Sequence, residues 1–247
     1  MKSFYYLFIV SILLTSCKPE EKSLTAQQII DKSIEVSQIN KLSNAELQFN
    51  FREHKYLAKR ENGIFVIQRI TTNKPEIITD VLNNKGFQRF INDKVIQVED
   101  SMAVKYSESI NSVHYFSVLP LGLNDKAVQK KLLEDTNLKG EEYYKVQITF
   151  AQEGGGVDYD DVFIYWVGKE DFKIDYLAYT FHVNGGGMRF REVRKEHLVN
   201  GIRFVDYNNY KSQNLSLELN LLDKEFENNQ LIKASEINLE NIEVRFN

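Results

Sequence analysis

The residues that could do chemistry fall mostly in the second half of the chain. Asp158, Asp160 and Asp161, with Glu153 nearby, form its densest acidic group. Oxygen-rich clusters suit calcium, but this spacing departs from an EF-hand loop and lacks a bidentate glutamate at its far end. A solvated turn is the expected role, and no metal is assigned. His54, His114, His182 and His197 are scattered, with no His-x-x-x-His spacing, so each is expected at the surface or packed rather than as a ligand. Acid–base catalysis would fall to Asp158, Asp160, Asp161 or His182. Nucleophile chemistry has less support, because Cys17 is the sole cysteine and no Gly-x-Ser-x-Gly elbow occurs. Two glycine triplets, 154–156 and 185–187, sit between expected strands rather than at the head of a helix. They read as turns needing positive φ, not as phosphate cradles. No enzyme signature emerges, and no cofactor is expected.

The arginines carry more. In the run from Met188 to Arg194, Arg189 and Arg191 project to one face of a strand and Phe190 to the other. The next strand adds Arg203. Guanidinium groups so placed can hold a carboxylate or phosphate headgroup bidentately. The competing and commoner role is cross-strand pairing with Asp206, Asp175 or Glu192. Around them Tyr165, Trp166, Tyr176, Tyr179, Phe181, Phe190, Phe204 and Tyr207 occupy both faces of their strands. A sheet apolar on both faces must be covered twice, by helices or by a bound ligand. Arg189, Arg191, Arg203, Tyr179 and Trp166 are therefore the candidate ligand-binding residues.

The elements that position them follow from patterning. The 247 residues are 43% hydrophobic and 27% charged, an ordinary globular balance that excludes a disordered chain. A net charge of −4 is a poor basis for general nucleic-acid binding. Thr25 to Ile39 reads as an amphipathic helix, capped by Thr25 and Gln28, with Ile29, Ile30 and Ile34 on one stripe. From Ala45 the period becomes two. Strands through Phe51, Ile64–Ile70, Ile77–Leu82, Gly86–Ile91 and Val95–Val98 form a meander with a hairpin at Asn62-Gly63. Residues 105–131 read as a helical insertion of two helices, the second from Asn124 or Asp125 to Lys131. Strands resume at Tyr143–Phe150, Val162–Val167, Tyr176–Val183, Met188–Glu196, Ile202–Tyr210, Leu215–Leu221 and Ile237–Phe246. The fold class is α+β: one large curved antiparallel sheet, with the N-terminal helix and the insertion covering its concave face.

The N-terminus has its own logic. Lys2 precedes an apolar run, Phe4 to Leu14, that is too short to span a bilayer and fits a secretory signal. Leu14-Thr15-Ser16-Cys17 resembles the bacterial lipobox, which implies cleavage before Cys17 and its lipidation. No second cysteine exists for a disulfide. The organisation is then 1–16 signal peptide, 17–24 lipidated cysteine and charged tether, and 25–247 a single domain. No Asp follows Cys17, which favours the outer membrane. Lys18 followed by acidic residues also resembles the surface-export signal of Bacteroidota lipoproteins.

The order lipobox, amphipathic helix, long meander and helical insertion resembles the LolA/LolB and LppX-like lipoprotein carriers. That resemblance implies a half-open barrel closed by helices around an acyl-chain cavity. A closer resemblance is to a family of uncharacterised Bacteroidota lipoproteins. It is carried by Ile110 to Phe116, Leu123 to Val128, Glu153 to Gly156, Asp175 to Tyr179, Arg189 to Arg191 and Val199 to Tyr207. Some members bear a deoxyribose-phosphate aldolase label. A βα-barrel needs strand–helix alternation, which hairpin after hairpin contradicts. The function expected is non-enzymatic binding of a lipid or other amphiphile by a membrane-anchored envelope protein, with no nucleic-acid partner. The alternatives are an interaction subunit of an outer-membrane assembly and an envelope hydrolase acting on sugar or lipid.

Overall fold

A computed structural model describes residues 23–156, 159–182, 185–214 and 216–246. The apolar run of the N-terminus, Cys17 and most of its tether lie outside the described residues, as do Asp158, Val183 and Leu215. Thr25 caps α1 (Ala26–Ser37): its hydroxyl accepts from the Gln28 N–H while the Gln28 side chain accepts from the Thr25 N–H. Ile29, Ile30 and Ile34 are buried along one stripe, as their spacing predicts. A 3-10 turn at Ile39–Asn44 leads into the meander β1 (Ala45–Phe51), β2 (His54–Glu61), β3 (Ile64–Asn73), β4 (Glu76–Asn83), β5 (Gly86–Ile91) and β6 (Lys94–Ile96). Asn62 and Gly63 both adopt positive φ, 52° and 79°, giving the turn whose twist matches the flanking strands.

The insertion departs from expectation. Helix α2 (Asp100–Ser117) begins earlier, its first turn running through Asp100, Ser101, Met102 and Ala103 ahead of the stripe that starts at Tyr106. The expected second helix is a turn followed by β7 (Val128–Leu132), which pairs with β9. Lys130 and Lys131, read as a basic helix end, are instead charged residues on an edge strand, where they discourage further pairing. Then come β8 (Thr136–Leu138), β9 (Glu141–Phe150), β10 (Phe163–Gly168), β11 (Ile174–Phe181), β12 (Gly187–Val199) and β13 (Ile202–Lys211).

The strand expected at 215–221 is likewise absent. The Ser212 hydroxyl accepts from the Asn214 N–H and the Asn214 side chain from the Ser216 N–H, so local side-chain bonds turn the chain. A 3-10 turn at Leu219–Leu221 and the short α3 (Leu222–Glu227) follow. The last expected strand, 237–246, is divided between two: β14 (Ile232–Ile237), which pairs with β13, and β15 (Glu240–Phe246), which pairs with β1.

Every strand pair described is antiparallel, so a βα-barrel is excluded. The architecture is the open α+β antiparallel one, with its ladder divided in two. One sheet runs β15-β1-β2-β3-β4-β5-β6 and the other β14-β13-β12-β11-β10-β9-β7, with β8 beside β9. The chain passes between them at Leu239, whose N–H donates to the buried Asp206 carboxylate at 2.8 Å. Helices α1 and α2 bury Ile29, Ile30, Ile34 and Ile110 in one apolar cluster with Leu47 and Phe49 of the first sheet and Val146, Tyr165 and Leu177 of the second. That shared side is the inner face. Among the described residues, no helix is long and apolar enough to cross a membrane.

Candidate functional site

The eight-stranded sheet is apolar on both faces, as its alternating aromatics predict, and the chain treats the two differently. On the outer face Tyr143, Ile164, Trp166, Tyr176 and Phe190 pack under Leu222 and Phe226 of α3. Trp166 donates its indole N–H to Asp223 Oδ2 at 3.2 Å. Lys145 Nζ lies 2.9 Å from the same oxygen and donates to the Asn220 carbonyl at 2.7 Å. Trp166 is thus an anchor for the α3 cover, on the opposite face from Tyr179.

On the inner face the register sets two neighbouring rows. One runs Ile148, Phe163, Tyr179, Arg189, and the next Val146, Tyr165, Leu177, Arg191, Asn209. Arg189, Arg191 and Tyr179 therefore stand together, as their alternation requires. The Arg191 side chain is only 7% exposed. Its Nη2 donates to the Tyr179 hydroxyl at 2.9 Å, and its guanidinium lies 3.8 Å from the ring centre of Phe116, on α2. Tyr179 and Tyr207 complete the ring contacts, at 5.1 and 5.8 Å. Arg191 Nε is buried with no hydrogen bond, and among the described residues no carboxylate stands within ion-pair distance of the group. Burying a cation without a counter-charge costs several kcal/mol, so this is an unusual position.

Phenols surround it. Tyr115 of α2 and Tyr165 of β10 share a hydrogen bond at 2.9 Å. Burial raises both hydroxyls well above the usual range, despite that bond in the case of Tyr115. Burial also pushes Tyr207 up to about 12, against the opposing charges of Arg203 and Arg191. All three are neutral donors at physiological pH. Phe116 packs at 4.9 Å from Tyr179, and Phe163 stacks on Tyr179 at 5.6 Å.

The other arginines are placed differently. Arg189 lies half-buried over Phe181, at 4.7 Å, and donates to its neighbour's carbonyl at Met188. Arg203 pairs across strands with Asp175, one of the partners anticipated for it, and with Glu196, and donates to the Ile174 carbonyl. It faces Leu198, whereas Arg191 faces Asn209. Six residues along β13 separate the two positions by roughly 20 Å. Arg203 is therefore not gathered with the other two.

Asp160, Asp161 and His182 are brought together by the β10–β11 hairpin. His182 Nδ1 lies 3.0 Å from Asp161 and 3.6 Å from Asp160, and the three ligand atoms fall within 4.8 Å of one another. Two carboxylates and an imidazole form a donor set that a divalent cation accepts. Asp160 and His182 are exposed, however, and the His182–Asp161 pair already serves to close this end of the hairpin. The glycine triplets beside it are turns: Gly154, Gly156, Gly185 and Gly186 have φ between 74° and 88°.

Sequence reasoning missed Phe116 and Asp223 as partners. Phe116 was visible on its helix, but nothing in the spacing says which strand it meets. Asp223 was hidden behind the leucine alternation read as a strand.

Fold and site together define an α+β protein with a two-faced antiparallel sheet, covered by α3 on one side and, on the other, built around a guanidinium that has no carboxylate partner among the described residues. The chain belongs to a family of unknown function (DUF6503), whose profile matches residues 2–239. Nothing among curated proteins matches it. Among solved structures it is similar to a LolA superfamily protein from Nitrosomonas europaea, at 10% identity and TM-score 0.49 over 90% of this chain and 92% of that one. It is also similar to a DUF1329 family protein from Desulfovibrio piger, at 10% identity and TM-score 0.44 over 91% and 94%. The lipoprotein LppX of Mycobacterium tuberculosis matches at 10% identity and TM-score 0.28 over 65% and 88%.

Proposed function

We propose that this protein is an envelope lipoprotein, anchored through Cys17 in the outer membrane, that binds a hydrophobic ligand without catalysis between α2 and the inner face of the eight-stranded sheet. One observation carries the reading, the unequal closure of the two faces. Trp166 and Phe190 at the centre of the outer face and Tyr165 and Leu177 at the centre of the inner face are fully buried, but beside the end of α2 the inner-face rings Phe116, Phe150, Tyr179 and Phe181 stay half-buried.

Two cavities, of about 250 and 170 Å³, flank α3 on the other side and are lined mainly by polar residues such as Lys139, Glu192, Asp223 and Asn228. Binding at the inner face therefore exchanges ring–ring contacts, and the Tyr115–Tyr165 hydrogen bond, for ligand contacts as the end of α2 lifts. Such ring pairs hold about 0.5–1.5 kcal/mol each, little enough for a ligand to replace. The other half of α2 stays fixed. Arg69 and Arg89 both grip the buried Asp80, and they reach Ser109 at 2.9 Å and the Tyr106 ring at 3.6 Å.

A neutral sixteen-carbon alcohol bearing a diazirine, irradiated with the full chain in nanodiscs, tests this. Saturable adducts on peptides containing Phe116 and Tyr179 are expected. Non-saturable labelling that follows exposure alone overturns the reading. Anchoring is tested separately: radioactive palmitate should label the chain, and Cys17→Ala should release it from the membrane fraction.

A further inference from the structure

We infer that Arg191 is an anion-binding site, and that the inner-face ligand is an amphiphile whose carboxylate or phosphate head meets this guanidinium. The inference rests on the hydrophobic-ligand reading and adds the chemical class of the ligand.

The contrast with the ion-paired cations of the fold carries it. Arg60 also keeps a buried, unbonded Nη1 but is only half-buried as a residue, whereas Arg191 is among the three fully buried cations of the described residues. Arg69 and Arg89 share Asp80, Lys145 has Asp223, and Arg203 has Glu196 and Asp175. Arg191 is as buried as Lys145 and Arg203, yet its partners among the described residues are a phenol and three rings. A histidine or lysine so placed can shed its proton, but a guanidinium cannot. The charge persists, and an anion is the group that would balance it.

Geometry says where that anion goes. Phe116 covers one face of the guanidinium plane, and Tyr179 takes one hydrogen from Nη2. Nε–H is buried and unspent. The free edge of an arginine presents parallel N–H donors matched to two oxygens of a carboxylate or phosphate. Tyr165 and Tyr207 lie close enough for the Arg191 charge to act on their hydroxyls, and both remain protonated donors. The rings of Phe116, Phe163 and Tyr179 beside this edge offer the apolar surface that the rest of an amphiphile needs.

The test keeps the protein constant and varies the head. Diazirine-bearing palmitate and its matched alcohol are compared on the full chain in nanodiscs, with adducts mapped by peptide mass spectrometry. The carboxylate should saturate the Phe116 and Tyr179 peptides at a concentration at least tenfold lower than the alcohol. In Arg191→Met that gap should close, and in Arg191→Lys it should partly survive. Equal labelling by the two probes in the unaltered protein overturns the anion site while leaving the hydrophobic-ligand reading standing. Failure of both probes overturns both. Acetate or inorganic phosphate competing as strongly as palmitate assigns Arg191 to a small free anion and overturns the amphiphile. The comparison of heads needs no variant, so it holds even if Arg191→Met does not fold.

Discussion

Lys145 and Arg191 stand on the same eight-stranded sheet, one on each face, both buried and both overlaid by a helical segment. The outer cover brings an acid, Asp223, which neutralises Lys145 and accepts from Trp166. The inner cover brings Phe116, a ring. A cover that supplies the counter-charge cannot leave without stranding two ions in an apolar setting, so it is permanent. One that supplies ring contacts and the neutral Tyr115–Tyr165 hydrogen bond, but no ion, can be replaced at lower cost. The two faces are thus chemically alike in their strands and opposite in their lids.

The comparison breaks most visibly at Asp223. Asp223→Ala leaves the Lys145 ammonium buried and unpaired, and should destabilise the protein by about 3–5 kcal/mol in urea unfolding. Replacing both partners by apolar residues, Lys145→Met with Asp223→Leu, should recover most of that loss. A cost below about 1 kcal/mol for Asp223→Ala would mean that Leu222 and Phe226 hold the cover by burial alone. The ionic difference between the faces would then carry no weight.

Much of this was legible beforehand, and the physical reasons separate what was from what was not. The capping box at Thr25, the Asn62-Gly63 turn and the shared face of Arg189 and Arg191 are local properties, fixed by hydrogen bonds or by alternation within a few residues. The two-faced aromatic pattern correctly demanded two covers. What the sequence could not say was which segment provides each. Leu217 and Leu219 alternate because they touch the outer apolar cluster from a turn, not because they form a strand. Arg203 looked like a neighbour of Arg191 because both lie on adjacent strands, but register along β13 is a long-range quantity. Lys130 and Lys131 fit a helix end and a strand edge equally well until β9 is there to pair with them.

His114 sharpens the contrast between groups that can lose their charge and groups that cannot. It lies on α2, facing inward, edge-on to Phe49 and Tyr56, with Nε2 at 3.3 Å from the Gln68 carbonyl and Nδ1 buried without a partner. Burial, helped by the nearby Arg60 charge, lowers its pKa to about 3 from the ordinary 6.5. The folded state therefore refuses a proton that the unfolded chain accepts. Stability is complete above pH 6.5 and declines as pH falls toward 3, by up to about 1.4 kcal/mol per unit. Between pH 6.5 and 5 the loss should reach roughly 2 kcal/mol. His114→Gln should flatten most of that slope in urea titrations across the window. His54, also lowered by burial, leaves a smaller component of the same sign. An unchanged slope in the variant would show that His114 is not the group that titrates.

Arg191 has no such escape, and its removal should have the smallest effect and the opposite sign. Methionine fills a similar volume without charge. The substitution forfeits a ring contact with Phe116, about 0.5–2 kcal/mol, and a charged hydrogen bond to Tyr179, about 1.5–3 kcal/mol. It also removes the desolvation cost of an uncompensated cation, which is several kcal/mol. Without ligand, Arg191→Met should match the unaltered protein or exceed it by about 1 kcal/mol. A ligand at a hundred times its Kd stabilises only the state that binds it, by about 2.7 kcal/mol, so adding palmitate should reverse the order of the two stabilities. If Arg191→Met instead falls by 3 kcal/mol or more without ligand, a loss on the order of that from stranding a buried ion, Arg191 is as structural as Lys145. The inner face would then be a closed core, and the difference between the two lids would disappear.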